Sequence, residues 1–203
     1  MIIDPVHTPH KDFYRLLIGA VGPRPIAWVS TLSATGSPNL APFSFFNCVC
    51  ARPPLLAFAP APRQVENGLA SKDTLRNIRE TGEFVINVVT FALTEAMNLT
   101  SGEYDASVNE FELAKVRPRA SHVIKPPQVA ESPISFECKL RQVLDFGEPR
   151  PTGHLVIGQI VSVFADDSVM KDGLLDGNAL DLLGRMGGIQ YSRTTTRFDL
   201  KRP

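Results

Sequence analysis

A run of ten residues that is apolar on both faces of a strand is the feature that most limits the possible fold. Residues 155–164 read Leu-Val-Ile-Gly-Gln-Ile-Val-Ser-Val-Phe, with large apolar side chains at both odd and even positions. Successive side chains of a strand point to opposite sides of the sheet, so both sides of this strand need a cover. We expect it in a sheet that packs on a core on one side and is covered from outside on the other.

Further strand patterns predict a mainly β fold. Residues 134–141 alternate between apolar and polar side chains, which indicates a strand with one buried face. Shorter apolar runs occupy residues 25–31, 55–59 and 83–89, and the turn-forming residues 33–38 join two strands into a hairpin. We therefore expect mainly antiparallel strands.

Helices are expected at few places. One is predicted over residues 74–81, with Asp73 as its N-cap and Gly82 at its end. A second is predicted over residues 91–100. Residues 115–132 contain three prolines and little periodicity, so we expect an extended connection across the surface.

Size and charge exclude several classes of partner. The chain has 203 residues, which suits one domain over residues 1–203. Its 21 basic and 21 acidic residues cancel and are dispersed, so neither nucleic acid nor a membrane surface is expected as a partner. The N-terminus has no basic region followed by an apolar core, and no apolar run reaches the length of a bilayer. We expect a cytoplasmic protein.

The three cysteines do not form a recognisable redox or metal motif. Cys48 and Cys50 are two positions apart, not three as in Cys-x-x-Cys, and Cys138 lies in the alternating strand. We expect all three to be small buried side chains. No catalytic triad, pair of carboxylates or metal-ligand spacing stands out, so no catalytic residue and no metal site is predicted.

A second informative segment, residues 39–47, carries polar groups that suit a ligand. Residues 39–47 read Asn-Leu-Ala-Pro-Phe-Ser-Phe-Phe-Asn, and the proline leaves neighbouring backbone groups free for a ligand. Ser44 is placed to reach a ligand, while Ser30 and Thr31 on the preceding strand, together with Asn47, suit the edge of a flat heterocycle. A proline-bent edge strand with core phenylalanines explains the same residues.

An anion site is predicted a short distance along the chain. Lys72 precedes a helix N-terminus, whose free amide groups and dipole attract negative charge. The hydroxyl groups of Ser71 and Thr74 add donors. With residues 39–47, this suits a nucleotide-like cofactor with one phosphate and a large flat ring. An ordinary capped helix with a solvated lysine is the alternative for the segment alone.

In their order, the segments resemble the flavin reductase-like family with the FMN-binding split barrel. The resemblance extends over residues 15–191, and its most specific parts are Arg-Pro-Ile-Ala-Trp-Val-Ser-Thr (24–31), residues 39–47 and Lys-Asp-Thr-Leu-Arg-Asn (72–77). Four further motifs follow: Gly-Glu-Phe-Val-Ile-Asn (82–87), Glu-Phe-Glu (110–112), Glu-Ser-Pro (131–133) and Arg-Met-Gly-Gly-Ile-Gln-Tyr (185–191). The resemblance implies a Greek-key split β-barrel with a few peripheral helices, and FMN with its phosphate at Lys72.

Further expectations come from the resemblance. A glycine-rich segment near the cofactor makes Arg185 a candidate phosphate contact and Tyr191 a ring contact, whereas a surface turn before the last strand is the alternative. Trp28 is expected in the core or an interface. His154 follows Gly153, where related reductases have a Gly-Asp-His motif associated with the nicotinamide donor. This departure leaves the use of NAD(P)H open.

The resemblance also implies a homodimer with the flavin at the subunit interface. Residues 43–46 and 155–164 supply more apolar surface than one small barrel readily buries, which predicts the same assembly.

Three functions remain possible from the sequence. The leading hypothesis is an FMN-binding oxidoreductase that transfers hydride or electrons from NAD(P)H through the flavin to an unidentified acceptor. The alternative is an FMN-binding electron carrier that serves a protein partner and does not oxidise NAD(P)H. A split-barrel module without flavin is a third, although it leaves Lys72 and Ser44 without a role.

Overall fold

The computed structural model describes residues 1–65, 68–147 and 152–203, and these are mainly β-strands. The helices are α1 (His10–Ala20), α2 (Asp73–Thr81), α3 (Thr94–Leu99), α4 (Glu110–Leu113) and α5 (Gly177–Leu180). The strands are β1 (Ala27–Leu32), β2 (Pro38–Phe43), β3 (Phe46–Ala51), β4 (Pro54–Phe58), β5 (Arg63–Val65), β6 (Gly68–Ala70), β7 (Glu83–Val88), β8 (Pro118–Arg119), β9 (Gln128–Val129), β10 (Ile134–Phe146), β11 (Gly153–Ala165), β12 (Met170–Lys171), β13 (Leu174–Leu175), β14 (Leu183–Arg185) and β15 (Tyr191–Arg193). None of the helices in these ranges has the length and apolarity needed to cross a bilayer.

Seven strands form one antiparallel sheet that curls back on itself. Their order is β2-β1-β7-β10-β11-β4-β3, so β2 and β4 are separated by four strands. Phe43 of β2 and Phe58 of β4 nevertheless have ring centroids only 5.0 Å apart. The sheet therefore wraps around a shared core, and helix α2 adds Leu75 and Ile78 to that core.

The predicted strands are confirmed as β1, β4, β7, β10 and β11, and the turn between β1 and β2 is where it was expected. Strand β1, which lies between β2 and β7, is buried on both faces. Ala27 and Val29 pack into the barrel core, and Trp28 packs into a second cluster outside it. Trp28 is thus a core residue, and its indole Nε1 donates to Thr100 Oγ1 at 2.8 Å.

Strand β11 is covered on both faces only along its first half. Val156 is fully buried, whereas Val161 and Val163 are 39% and 53% exposed. In a single chain, the second half of this apolar strand is thus exposed to solvent on the face that carries Val161 and Val163.

Two of the three cysteines are not buried, contrary to the sequence prediction. Cys48 and Cys50 are exposed, and only Cys138 is buried. The physical reason is that β3 is the last strand of the sheet, with no neighbour beyond it in the sheet order. Burial raises the pKa of the Cys138 thiol, which keeps it protonated.

The predicted cap of α2 is also wrong. The N-cap residue is Lys72, not Asp73, and Asp73 in the first turn pairs with Arg76 at 2.5 Å. The predicted end is confirmed: Gly82 takes the left-handed conformation with φ 71°.

Residues 115–132 are held to the body of the protein more firmly than an extended surface connection would be. The short pair β8 and β9 lies within them. Buried Glu137 of β10 accepts hydrogen bonds from the backbone of His122 at 2.6 Å and of Val123 at 2.8 Å. A buried carboxylate needs such donors, so β10 fixes the path of this segment.

Candidate functional site

The N-terminus of α2 lacks a side-chain cap. Lys72 occupies the N-cap position in an extended conformation and makes no capping hydrogen bond. An ammonium group cannot accept a hydrogen bond from helix amide groups, and its charge is unfavourable at the positive end of the helix dipole. Both costs are relieved when an anion lies between the lysine and the helix amide groups.

A small cleft adjoins this helix end. Its volume is about 40 Å³, and it is lined by Asn39, Ala41, Lys72, Thr74, Tyr104 and Glu110, among others. Buried Thr74 accepts a hydrogen bond from Asn39 Nδ2 at 2.9 Å, which leaves its hydroxyl proton free to donate. Ser71 is exposed directly before the helix, and its hydroxyl is 3.3 Å from the carbonyl oxygen of Lys72. The three predicted phosphate residues therefore lie at one helix end.

A carboxylate lies in the same cleft. Glu110 is only 9% exposed, and its Oε2 accepts a hydrogen bond from Leu40 N at 3.2 Å. Burial raises the pKa of the Glu110 carboxyl, and the negative charge of Asp73 raises it further. The negative charge of ionised Glu110 disfavours an anion at Lys72, so protonation of Glu110 favours anion binding.

Replacing Glu110 with Gln is expected to stabilise the protein at neutral pH. Because the pKa of Glu110 is raised on folding, the stability linked to its proton is fully present below the ordinary value of 4.5 and is lost as pH rises through the folded pKa. Glutamine keeps an acceptor for Leu40 without the buried charge. Thermal unfolding of both proteins between pH 4 and pH 8 measures this. A melting temperature of Glu110→Gln below that of the wild type at pH 8 would contradict it.

A second cavity lies between α1 and the turn from β2 to β3. Its volume is about 330 Å³, and its lining is mostly apolar. Ser44 and Asn47 supply its polar side chains besides Arg24. Asn47 Oδ1 accepts from Cys48 N at 2.8 Å, and its amide nitrogen has no partner among the described residues. These two predicted ligand residues thus come together.

Arg24 is a wall residue of this cavity that the sequence analysis did not select. Its buried guanidinium donates to the carbonyl oxygens of Ile18 at 2.7 Å and Met186 at 2.9 Å, and to that of Val21. It also lies 5.8 Å from the ring centroid of Phe45. Arg24 therefore fixes the end of α1 and places a positive charge beside the cavity. Its only sequence signal was its position at the start of the motif at residues 24–31.

Arg185 and Tyr191 interact with each other on the β14–β15 hairpin. The Arg185 guanidinium lies 4.4 Å from the Tyr191 ring centroid and donates to Gly188 O at 2.6 Å. Backbone hydrogen bonds join Arg185 to Arg24, which brings the hairpin near the second cavity. Neither side chain lines the described cavities, so their roles at a cofactor stay predictions.

Ser30 and Thr31 are fully buried in β1. Ser30 donates to Pro127 O, and Thr31 Oγ1 accepts from Asn77 Nδ2 at 3.0 Å. The register of β1 on β2 places Ser30 opposite Leu40 and Thr31 opposite Asn39, near the start of β2, whereas Ser44 and Asn47 lie beyond its end. The structure therefore does not bring these hydroxyl groups to Ser44 and Asn47. Their contact with a ring edge also stays a prediction.

His154 lines a third and larger cavity, of about 600 Å³. It is 7% exposed, and its Nδ1 is 2.6 Å from Asp145 Oδ1. The Nη2 of Arg79 donates to both oxygens of Asp145, at 2.6 Å and 2.8 Å. The hydrogen bond to His154 lowers the pKa of Asp145, and the charge of Arg79 lowers it further. Asp145 had no sequence signal, because only strand pairing places it opposite His154.

The model of the family described as flavin reductase like domain matches residues 21–179 of this chain. The chain belongs to the flavin reductase-like family. Nitrilotriacetate monooxygenase component B from Bacillus cereus has a TM-score of 0.93 and 34% identity, with 98% of each chain covered. The 2-nitrobenzoate 2-nitroreductase of Pseudomonas fluorescens has a TM-score of 0.88 and 32% identity, covering 100% of this chain and 96% of that one. A Shewanella frigidimarina NCIMB 400 protein with a split barrel domain has a TM-score of 0.82 and 26% identity, with both chains fully covered.

These similarities confirm the family and the mainly β split-barrel fold predicted from the sequence. Membership of the flavin reductase-like family supports a flavin-binding protein of the oxidoreductase type.

Proposed function

We propose that the protein is an FMN-binding oxidoreductase of one domain, in which NAD(P)H delivers electrons to the flavin and the flavin passes them to an acceptor. The observation that carries the cofactor assignment is the lysine at the uncapped N-terminus of α2. The residues present fit a phosphate monoester: helix amide groups, the Lys72 charge and the free Thr74 hydroxyl proton are its natural partners.

The second cavity fits the flavin ring. Strand β2 leads from the cleft at Asn39 to the cavity at Ser44, a distance of roughly 17 Å at about 3.3 Å per residue. The ribityl chain and ring of FMN can cover such a distance. A bound flavin supplies hydride chemistry that needs no acid or base from the protein. The apolar wall excludes water, and Ser44 and Asn47 orient the ring by hydrogen bonds. The positive charge of Arg24 stabilises negative charge that builds up on the ring.

The electron-carrier alternative is supported by one observation. Glycine stands at position 153, where resembling reductases have an aspartate beside the histidine. Anaerobic addition of NADH or NADPH to the FMN-loaded protein separates the two functions. Bleaching of the flavin absorbance supports the oxidoreductase, and an oxidised spectrum that persists for hours supports the carrier.

Donor binding is expected to limit any NAD(P)H oxidation, and Gly153→Asp is expected to tighten it. The backbone of Gly153 does not need a positive φ, and a Cβ there meets nothing within 4 Å, so an aspartate fits. For the wild type, we expect rates that still rise into the millimolar range of donor, the upper end of ordinary KM values. Stopped-flow reduction measures this, with Gly153→Asn as the uncharged control. Saturation of the wild type at micromolar donor would contradict the prediction.

The protein is expected to be a homodimer. Helix α1 has no buried residue, although short helices depend on tertiary packing for stability. Leu17 and Phe45, which line the second cavity together, and Val163 on β11 add exposed apolar surface. Sedimentation should give twice the 22.2 kDa chain mass. Val163→Glu should weaken the dimer, whereas Val6→Glu, at an exposed residue near the N-terminus, should not. A single-chain mass with FMN bound would refute the assembly.

A further inference from the structure

The phosphate cleft, the small cleft at the N-terminus of α2, has more acidic than basic groups on its walls. Among the described residues that line it, Lys72 is the one cation, and Asp73, Glu103 and Glu110 are the carboxylates. Asp73 is paired with Arg76 at 2.5 Å, which compensates its charge. Glu103 and Glu110 therefore remain against one lysine in a site that we expect to hold a phosphate.

Burial distinguishes these two carboxylates. Glu103 is exposed, so water and salt screen its charge. Glu110 of α4 is only 9% exposed, and its Oε2 accepts a hydrogen bond from Leu40 N in β2. A charge in such a position is screened much less, and the same burial raises the pKa of the Glu110 carboxyl. The ionisation of Glu110 therefore changes the potential in the cleft more than the charge of Glu103 does.

The surroundings of Glu110 determine how its proton responds to a phosphate. The negative charge of Asp73 already raises the pKa of Glu110, and a phosphate beside Lys72 acts in the same direction. The complex therefore keeps the Glu110 proton to a higher pH than the free protein does. No histidine is among the described residues on these walls. The charged and titratable groups that face Glu110 are Lys72, Asp73 and Arg76 of α2, and Glu103 and Tyr104 of the segment after α3.

We propose that binding of the FMN phosphate in this cleft takes up one proton from the solvent on Glu110, and that ionisation of Glu110 releases the flavin. The neutral carboxyl donates a hydrogen bond to a phosphate oxygen, whereas the ionised carboxylate only accepts and repels the phosphate. The linked part of the affinity is fully present below the pKa of Glu110 in the free protein and is lost as pH rises through its pKa in the complex. The inference rests on the proposed function and adds that the flavin is exchangeable, with its retention set by pH.

Calorimetric titration of the full-length protein with FMN from pH 6 to pH 9 tests the proposal. Ionisation of the phosphate, whose second pKa is about 6, strengthens its attraction to Lys72 as pH rises. A fall in affinity with rising pH therefore cannot come from the phosphate. We expect a fall of up to about tenfold per pH unit, the limit for one linked proton, with proton uptake measured in buffers of different ionisation enthalpy. An affinity that is constant or rises over this range would overturn the inference.

Variants assign the proton to Glu110. Glu110→Gln keeps an acceptor and does not ionise, so its FMN affinity should not fall with pH and should exceed that of the wild type at pH 9. Glu103→Gln is the matched control, because it removes an exposed carboxylate of the same cleft, and it should keep the pH dependence of the wild type. The same fall in Glu110→Gln as in the wild type contradicts the assignment.

Riboflavin separates failure of this inference from failure of the proposed function. It has no phosphate, so its affinity should not fall with pH, and a fall equal to that of FMN would place the linked proton elsewhere and refute the inference. If Glu110→Gln does not fold, this comparison of FMN with riboflavin on the wild type decides instead. FMN binding that is constant with pH overturns the inference alone. If neither flavin binds at any pH, the proposed function fails together with it.

Discussion

Lys72→Ala is expected to weaken FMN binding by about tenfold to a hundredfold, because a charge-assisted contact to phosphate contributes about 1.5–3 kcal/mol. Riboflavin has no phosphate, so its affinity should be lower than that of FMN in the wild type and unchanged by the substitution. Fluorescence titration of both flavins measures the four affinities. Lys171→Ala, an exposed lysine in β12 that lines none of the described cavities, is the matched control.

Salt gives a second measurement of the same contact. Screening weakens exposed charge pairs, so added salt should weaken FMN binding to the wild type more than to Lys72→Ala. Equal affinity of the wild type for FMN and riboflavin would refute the phosphate assignment. If Lys72→Ala retains the affinity of the wild type, the anchor lies elsewhere, and Arg185 is the next candidate.

Gly158→Ala is expected to cause the largest loss of stability from adding a single methyl group. Gly158 of β11 is buried, and a Cβ there would lie 2.3 Å from Phe84 Cζ and 3.2 Å from Cys138 Cβ. Phe84 is itself completely buried and packs edge-on against Phe58 at 5.7 Å, so its ring has little room to move. Overpacking of this kind costs about 1–3 kcal/mol. The melting temperature should fall by roughly 2–12 °C for a chain of this size.

Gly153→Ala is the control for Gly158→Ala, because a Cβ at position 153 of the same strand meets nothing within 4 Å. Phe84→Leu should relieve the clash, so Phe84→Leu/Gly158→Ala should lose less stability than the sum of the two single changes. Calorimetric unfolding measures all four proteins. An unchanged melting temperature of Gly158→Ala would show that the core accommodates the methyl group.

The strands and the end of α2 could be predicted because their signals are local. The alternation of residues 134–141 and the two-faced run of residues 155–164 require only that neighbouring side chains of a strand point to opposite sides. Gly82 ends α2 because glycine adopts the left-handed conformation at little cost. Lys72 at the start of α2 could also be recognised from the local sequence. It is itself the N-cap residue, whereas the predicted cap was the next residue, Asp73.

Burial and contacts between distant residues could not be read in this way. Cys48 and Cys50 look like core residues, but they are exposed because β3 is the last strand in the sheet order. Ser30 and Thr31 have the hydroxyl groups of ligand contacts, but they are buried in β1. Their hydroxyl groups form hydrogen bonds with Pro127 and Asn77 instead.

By itself, the sequence determined the β-rich character of the fold and the cationic residue at the N-terminus of α2, since each depends on a pattern within a short segment. The family, and with it the split barrel, followed from the resemblance of an ordered set of motifs over residues 15–191. Only the tertiary structure decided which polar groups share a cavity. It placed Arg24 beside Ser44 and Asn47, and it placed Asp145 against His154. Strand order and register set these contacts, and they are properties of the whole sheet because each strand's neighbours come from distant parts of the chain.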